Sequence, residues 1–227
     1  MSGFGADTDY WGFADTNNLL QGSTKNPTLA ETQCEDSNGD VAASTMYDAK
    51  SDISCTYKRR ADAALIFYDT ATNIDFRFGT VIGGYVITSI SVDTNNKERP
   101  GVVIAGVLCG TNDSLVQKYD PTDLEIAGTR KATAIGFTVD SSTNLLSSSV
   151  TGTVQTAIVL DSHGAQACVD VFGGRVEGTN ELVGCTGQPG GAVDTGWTLS
   201  GGPSEDEGNT QYVGGSASVF KNLTKMA

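Results

Sequence analysis

The stretch VTGTVQTAIVL, residues 150–160, decides the fold class of this chain. Apolar or small residues recur at every second position, while Thr151, Thr153 and Gln155 occupy positions between them. Successive side chains of a β-strand point to opposite faces, so this alternation predicts a long strand with one buried face.

The alternation recurs along most of the chain. Ile74, Phe76 and Phe78 alternate with Asp75 and Arg77, which predicts a short half-buried strand. Continuous apolar runs at 63–68 and 102–109 predict strands buried on both faces. A Gly173-Gly174 turn is expected between strands at 167–172 and 175–183. Further strands are predicted near 41–47, 53–57, 85–92, 135–139 and 212–223.

These patterns predict an all-β fold, an antiparallel β-sandwich or barrel with one short helix. The helical signals lie in residues 112–125, where Pro121 suits a first helical position. Residues 1–35 lack periodicity and are interpreted as a long irregular N-terminal arm. Residues 36–227 are interpreted as a single β-sandwich domain with a long loop at 186–211, rich in glycine, proline and acids.

The charge balance argues against tight binding of nucleic acid. The chain of 227 residues carries 27 acidic and 14 basic side chains, a formal net charge of −13. Phosphate binding needs a basic surface, and the one compact basic cluster in the sequence is Lys58-Arg59-Arg60. That cluster is interpreted as a solvated or ion-paired strand end rather than a binding site. No apolar segment is long enough to span a membrane, and the N-terminus does not read as a signal peptide.

No catalytic, cofactor or metal site is predicted. The one histidine, His163, lies in an expected turn without a nucleophile motif beside it. The segment at 36–40 contains Asn-Gly, a hairpin signal, and also resembles part of a calcium loop; we favour the turn. The five cysteines are widely spaced and read as free, mostly buried thiols of a protein folded in a reducing cytoplasm.

Aromatic residues in irregular segments are the candidates for assembly contacts. The arm either orders against a neighbouring molecule or packs on its own domain, and we favour the former. Trp197 reads as core or interface packing, with a carbohydrate platform as the alternative. The predicted assembly residues are Phe4, Tyr10, Trp11, Phe13 and Trp197.

Three groups of segments resemble the major tail tube proteins of long-tailed bacteriophages. Each is a pattern of strands and turns, and together they cover about half of the chain. The first group spans 38–57, the second joins 87–92 to 100–106, and the third combines 167–177, 194–199 and 207–212.

The resemblance implies a structural virion protein rather than an enzyme. Such a subunit would assemble in the host cytoplasm into homo-oligomeric, commonly hexameric, rings that stack into the virion tail. The implied partners are copies of the chain and other tail proteins, while DNA would pass through the lumen without specific binding and no membrane would be involved. Two alternatives are also structural virion proteins: a tail adaptor or terminator, and a capsid decoration protein. The others come from different classes: a carbohydrate-binding or adhesin β-sandwich, and a hydrolase that uses acidic residues.

Overall fold

Alternating strand patterns produce long strands in the computed structural model, which describes Phe13 and residues 18–109, 117–162, 166–184, 190–201 and 213–226. One 3-10 helix, Thr122–Leu124, follows Pro121. The strands are β1 (Asn18–Glu35), β2 (Val41–Arg59), β3 (Tyr68–Asp69), β4 (Ile74–Asp75), β5 (Val81–Ile82), β6 (Tyr85–Asn95), β7 (Gly101–Leu108), β8 (Lys118–Tyr119), β9 (Phe137–Val139), β10 (Thr143–Leu160), β11 (Gln166–Gly184), β12 (Gly191–Val193), β13 (Thr198–Gly201), β14 (Val213–Asn222) and β15 (Lys225–Met226).

A nine-stranded antiparallel sheet dominates the fold. Eight strands lie in the order β1-β2-β7-β6-β10-β11-β14-β13, and β5 pairs with β6 beside this path. The sheet curls, because β11 comes close to β2 although three strands separate them in the order. The prediction of an all-β antiparallel fold is therefore confirmed.

The core lies on the inner face of this curled sheet. In β10, Val150 and Val154 are buried while Thr153 and Gln155 are exposed, as the alternation predicts. The same rule holds in β14, where Ala217 and Val219 are buried. The largest fully buried side chains come from several strands and connections: Tyr57, Phe67, Phe78, Ile53, Leu65, Ile87, Ile90, Ile104, Leu124 and Leu182.

The expected irregular arm is wrong for residues 18–35. This segment is β1, and it pairs with β2 from Asn18↔Arg59 to Glu35↔Val41. The side chains of β1 do not alternate in polarity, because residues 21–28 and 31–35 are exposed on both faces of the hairpin. The hydrophobic period that identifies a half-buried strand is therefore absent, and the strand is specified by its partner instead.

The expected turn at Gly173-Gly174 is also wrong. The two residues lie inside the continuous strand β11, where Thr153 pairs with Arg175 but Gln155 pairs with Phe172. One residue of β10 thus faces two of β11, which is a β-bulge. Gly173 has φ +59, a backbone conformation that glycine adopts without steric cost.

Three further predictions need correction. Residues 63–67 form no strand, because the Leu65 N–H donates to Ile126 O and the Phe67 N–H donates to the Glu125 carboxylate. β7 alternates between buried and partly exposed residues rather than being buried throughout. The segment 186–211 is not entirely a loop, since it contains β12 and β13.

The polar face of β4 forms an ion-paired cluster. Arg77 donates to both carboxylate oxygens of Asp75, at 2.8 and 2.7 Å, and the Thr80 hydroxyl donates to Asp75 Oδ1 at 3.0 Å. Partial burial opposes ionisation of Asp75, but these hydrogen bonds outweigh it and hold the pKa of its carboxyl well below its usual range. The cluster fixes the turn that leads into β5.

In the part of the chain that the structure describes, no helix has the length and apolar character needed to cross a membrane.

Candidate assembly surface

The hairpin of β1 and β2 extends well beyond the rest of the sheet. β2 pairs with β7 only over Asp52–Lys58, so the outer part of the hairpin is a two-stranded ribbon. We call residues 27–51, the part of the hairpin beyond β7, the ribbon. An isolated two-stranded hairpin is marginally stable in water at best. A projecting segment of this length is therefore expected to gain stability from a partner.

The outer edge of β1 is open for pairing. Among the described residues β1 pairs with β2 alone, which leaves the backbone groups along its other side without a strand partner. Unpaired strand edges are templates for pairing with another chain. The opposite end of the sheet is a much shorter edge, the four-residue strand β13.

The turn at the end of the ribbon is well defined. Asp36 Oδ1 accepts hydrogen bonds from the Asn38 N–H at 2.8 Å and from the Asp40 N–H at 3.0 Å. Gly39 has φ +83, which the Asn-Gly turn requires. The prediction of a hairpin turn at 36–40 is confirmed. No group of three or more His, Cys, Asp or Glu side chains suited to holding a metal occurs within the described ranges.

The hairpin of β10 and β11 also exposes apolar side chains. β10 pairs with β6 only through Thr153, and β11 pairs with β14 only from Arg175 onward, so the hairpin continues past both neighbours. One of its faces is buried through Val169 and Val171. The other exposes Phe172 and Val159, which are 41% and 49% accessible. This face combines apolar side chains with an extended backbone.

The structure separates the five predicted assembly residues. Phe13 is 4% exposed and its ring packs against Tyr57, Phe67 and Phe76, with centroid separations of 5.1, 5.6 and 4.8 Å. Phe13 is thus a core residue, and the expectation that it contacts a neighbour is wrong. Phe4, Tyr10 and Trp11 lie outside the described residues, as does His163.

Trp197 covers a glycine rather than standing free. A Cβ added to Gly136 would lie 2.3 Å from the Trp197 ring, and Gly136 has φ +57. The Lys221 ammonium lies 5.9 Å from the ring centroid on a half-buried surface. The ring also packs at the margin of the core. Packing of this kind matches the core interpretation and removes the support for a carbohydrate platform.

The described cysteines differ in exposure. Cys55 and Cys109 are buried, Cys168 is partly exposed, and Cys34 is exposed on β1. Cys185 lies outside the described residues. The sequence interpretation of buried thiols therefore holds for Cys55 and Cys109 but not for Cys34.

The basic cluster Lys58-Arg59-Arg60 divides into different environments. Lys58 Nζ lies 2.6 Å from Glu98, as expected for an ion-paired strand end. Arg59 is buried and donates to Asn18 Oδ1 at 2.8 Å and to the carbonyl oxygens of Ala63 and Ala64. The strand order brings further basic residues from other segments to this end of β2. That convergence leaves no local signal in the sequence, because those residues are far apart in the chain.

No protein-family model matches this chain, and no curated protein is similar enough to it to indicate a family.

Proposed function

We propose that the chain is a structural virion protein, a tail tube subunit that assembles with copies of itself into stacked rings. The observation that carries the proposal is the projecting ribbon with the edge of β1 that no described strand pairs, since a surface of this kind gains hydrogen bonds and packing when another chain pairs with it. The resemblance of the strand and turn pattern to tail tube proteins supports the same proposal.

The charge of the chain suits a wall that DNA passes without adhering to it. Six copies at −13 each would place about −78 on one ring. Any part of that charge facing a lumen would repel phosphate groups. A ring also needs a head-to-tail contact whose rotation closes, and the two ends of the sheet are different surfaces, as such a contact requires.

Negative-stain electron microscopy of the purified protein over a range of concentrations tests the proposal. Stacked rings or tubes are expected. Single rings that never stack would favour an adaptor or terminator instead, and a monomer at every concentration would contradict self-assembly.

A further inference from the structure

A basic cleft built from separate segments lies where β2 ends, at the opposite end of the β1–β2 hairpin from its turn. Two adjoining clefts, with volumes of about 290 and 540 Å³, share Arg99 and Arg130. We call them together the basic cleft. Its lining comes from the end of β2, the connection from β6 to β7, and residues 129–131: Lys58, Arg59, Lys97, Glu98, Arg99, Asp62, Thr129, Arg130 and Lys131.

The cleft concentrates positive charge in an acidic protein. With the adjacent Arg60 it holds seven of the 14 basic residues but only two acids, so its net charge is +5. The remainder of the chain, with seven basic and 25 acidic residues, carries −18. A local balance so different from the rest of the surface indicates an anionic partner.

Some of the basic side chains form ion pairs within the chain, and others do not. Lys58 pairs with Glu98, and Arg99 Nη1 lies 2.7 Å from Asp62. Arg60, Lys97, Arg130 and Lys131 are exposed, and they form no ion pair with any residue that the structure describes. Four exposed cations held near one another repel, so binding of carboxylates beside them relieves that repulsion.

A group of acidic side chains lies at the other end of the β1–β2 hairpin, around its turn. Residues 26–49 contain five acids and no basic residue. Four of the acids, Glu31, Glu35, Asp36 and Asp40, are exposed around the turn. We call residues 31–40 the acidic tip. The hydrogen bonds that the Asp36 carboxylate accepts from the turn backbone order the tip, which lowers the entropy lost on binding.

The tip cannot reach the cleft of its own chain. β2 runs from Val41, next to the tip, to Arg59 in the cleft, a span of 18 residue steps. At about 3.3 Å per residue, this strand separates the two by roughly 60 Å. Opposite charges at opposite ends of one long hairpin favour a head-to-tail contact between two molecules.

We propose that the basic cleft binds the acidic tip of a second copy of this chain. The inference rests on the proposed self-assembly and identifies the surfaces that make one of its contacts. The contact is heterologous, so it leaves one free cleft and one free tip on each pair and continues into a ring or a filament. A nucleic acid is the other anionic partner that could bind the cleft, and the test distinguishes the two.

Charge reversal with complementation tests the contact. The cleft variant carries Arg130→Glu and Lys131→Glu, and the tip variant carries Glu31→Lys and Glu35→Lys. A control for the cleft variant, Arg175→Glu with Lys225→Glu, makes the same change in net charge as that variant at exposed residues outside the cleft. Circular dichroism and thermal unfolding establish that each variant folds, and sedimentation velocity gives the concentration at which half of the protein is assembled.

Each reversed variant alone is expected to need at least tenfold more protein to assemble, while the control stays within about threefold of the wild type. An equal mixture of the cleft and tip variants is expected to regain assembly, because each tip then meets a cleft of opposite charge. Wild-type assembly is also expected to weaken as salt rises from about 50 to 500 mM.

The outcomes separate this inference from the proposed function. If the wild type assembles and the cleft variant assembles equally well, or if the mixture is not restored, the tip-to-cleft contact is wrong while self-assembly stands. If the wild type never assembles, both proposals fail. If a fluorescent DNA duplex binds the wild type but not the cleft variant, while assembly is unchanged, the cleft belongs to a nucleic acid and the inference is overturned.

Discussion

Replacing Phe13 by alanine separates a core role from an assembly role. The ring is almost fully buried and contacts three other aromatic rings. Removing a buried phenylalanine costs about 3–5 kcal/mol of unfolding free energy, and lost edge-to-face and stacked contacts place this site in the upper part of that range, near ~4 kcal/mol. For a chain of this size, a loss of ~4 kcal/mol lowers Tm by about 8–16 °C.

The measurement is urea unfolding followed by circular dichroism, at a protein concentration below that of any assembly so that mass action does not contribute. Phe172→Ala is the matched control, because Phe172 is 41% exposed. It is expected to cost ~1 kcal/mol. If Phe13→Ala costs no more than the control but raises the concentration needed for assembly, Phe13 is an intermolecular contact and its placement in the core is refuted.

Three further predictions concern stability. Gly128→Ala is expected to lower the free energy of unfolding in urea by ~1–3 kcal/mol, since the added Cβ would lie 2.2 Å from the carbonyl oxygen of Ala63. In the control Gly22→Ala the added Cβ meets nothing within 4 Å, so the free energy of unfolding should change by less than ~1 kcal/mol. Equal effects of the two substitutions would contradict this. Asn180→Ala should cost at least ~2 kcal/mol, because the buried amide bonds both the N–H and the carbonyl of Ile135; a neutral result would contradict that role. For Asp75, the lowered pKa means that its stabilisation is present above pH ~4 and is lost as pH falls further, so the stability difference between wild type and Asp75→Asn should shrink below pH ~4; a difference independent of pH would exclude the ionised pair.

Half-buried strands could be predicted from the sequence because burial leaves an alternating pattern. The alternation in residues 150–160 identifies a buried face directly, and the structure confirms it. The strand predicted at Ile74–Phe78 is wrong beyond Asp75, because β4 has only two residues, although Phe76 and Phe78 are buried as the alternation predicts. The pattern fails for β1, whose exposed residues carry no periodic signal. It also fails at Gly173-Gly174, where the same two residues suit a turn or a bulge and only the register of β10 decides between them.

The candidate site was less predictable than the fold. Phe13 lies in an irregular stretch, so its place in the core depends on Tyr57, Phe67 and Phe76, which the sequence does not bring together. The basic cleft depends on strand order in the same way, since β2, the β6–β7 connection and residues 129–131 meet only after folding. The acidic half of the ribbon, by contrast, is a local feature that can be read from the sequence once residues 26–49 are known to form a hairpin.

Electron microscopy of the wild-type protein, compared with the cleft variant, the tip variant and their equal mixture, tests the central claim of self-assembly most directly. Stacked rings or tubes are expected for the wild type, and the same assemblies are expected for the mixture but for neither variant alone. A wild-type protein that remains a monomer at every concentration and salt condition would contradict it.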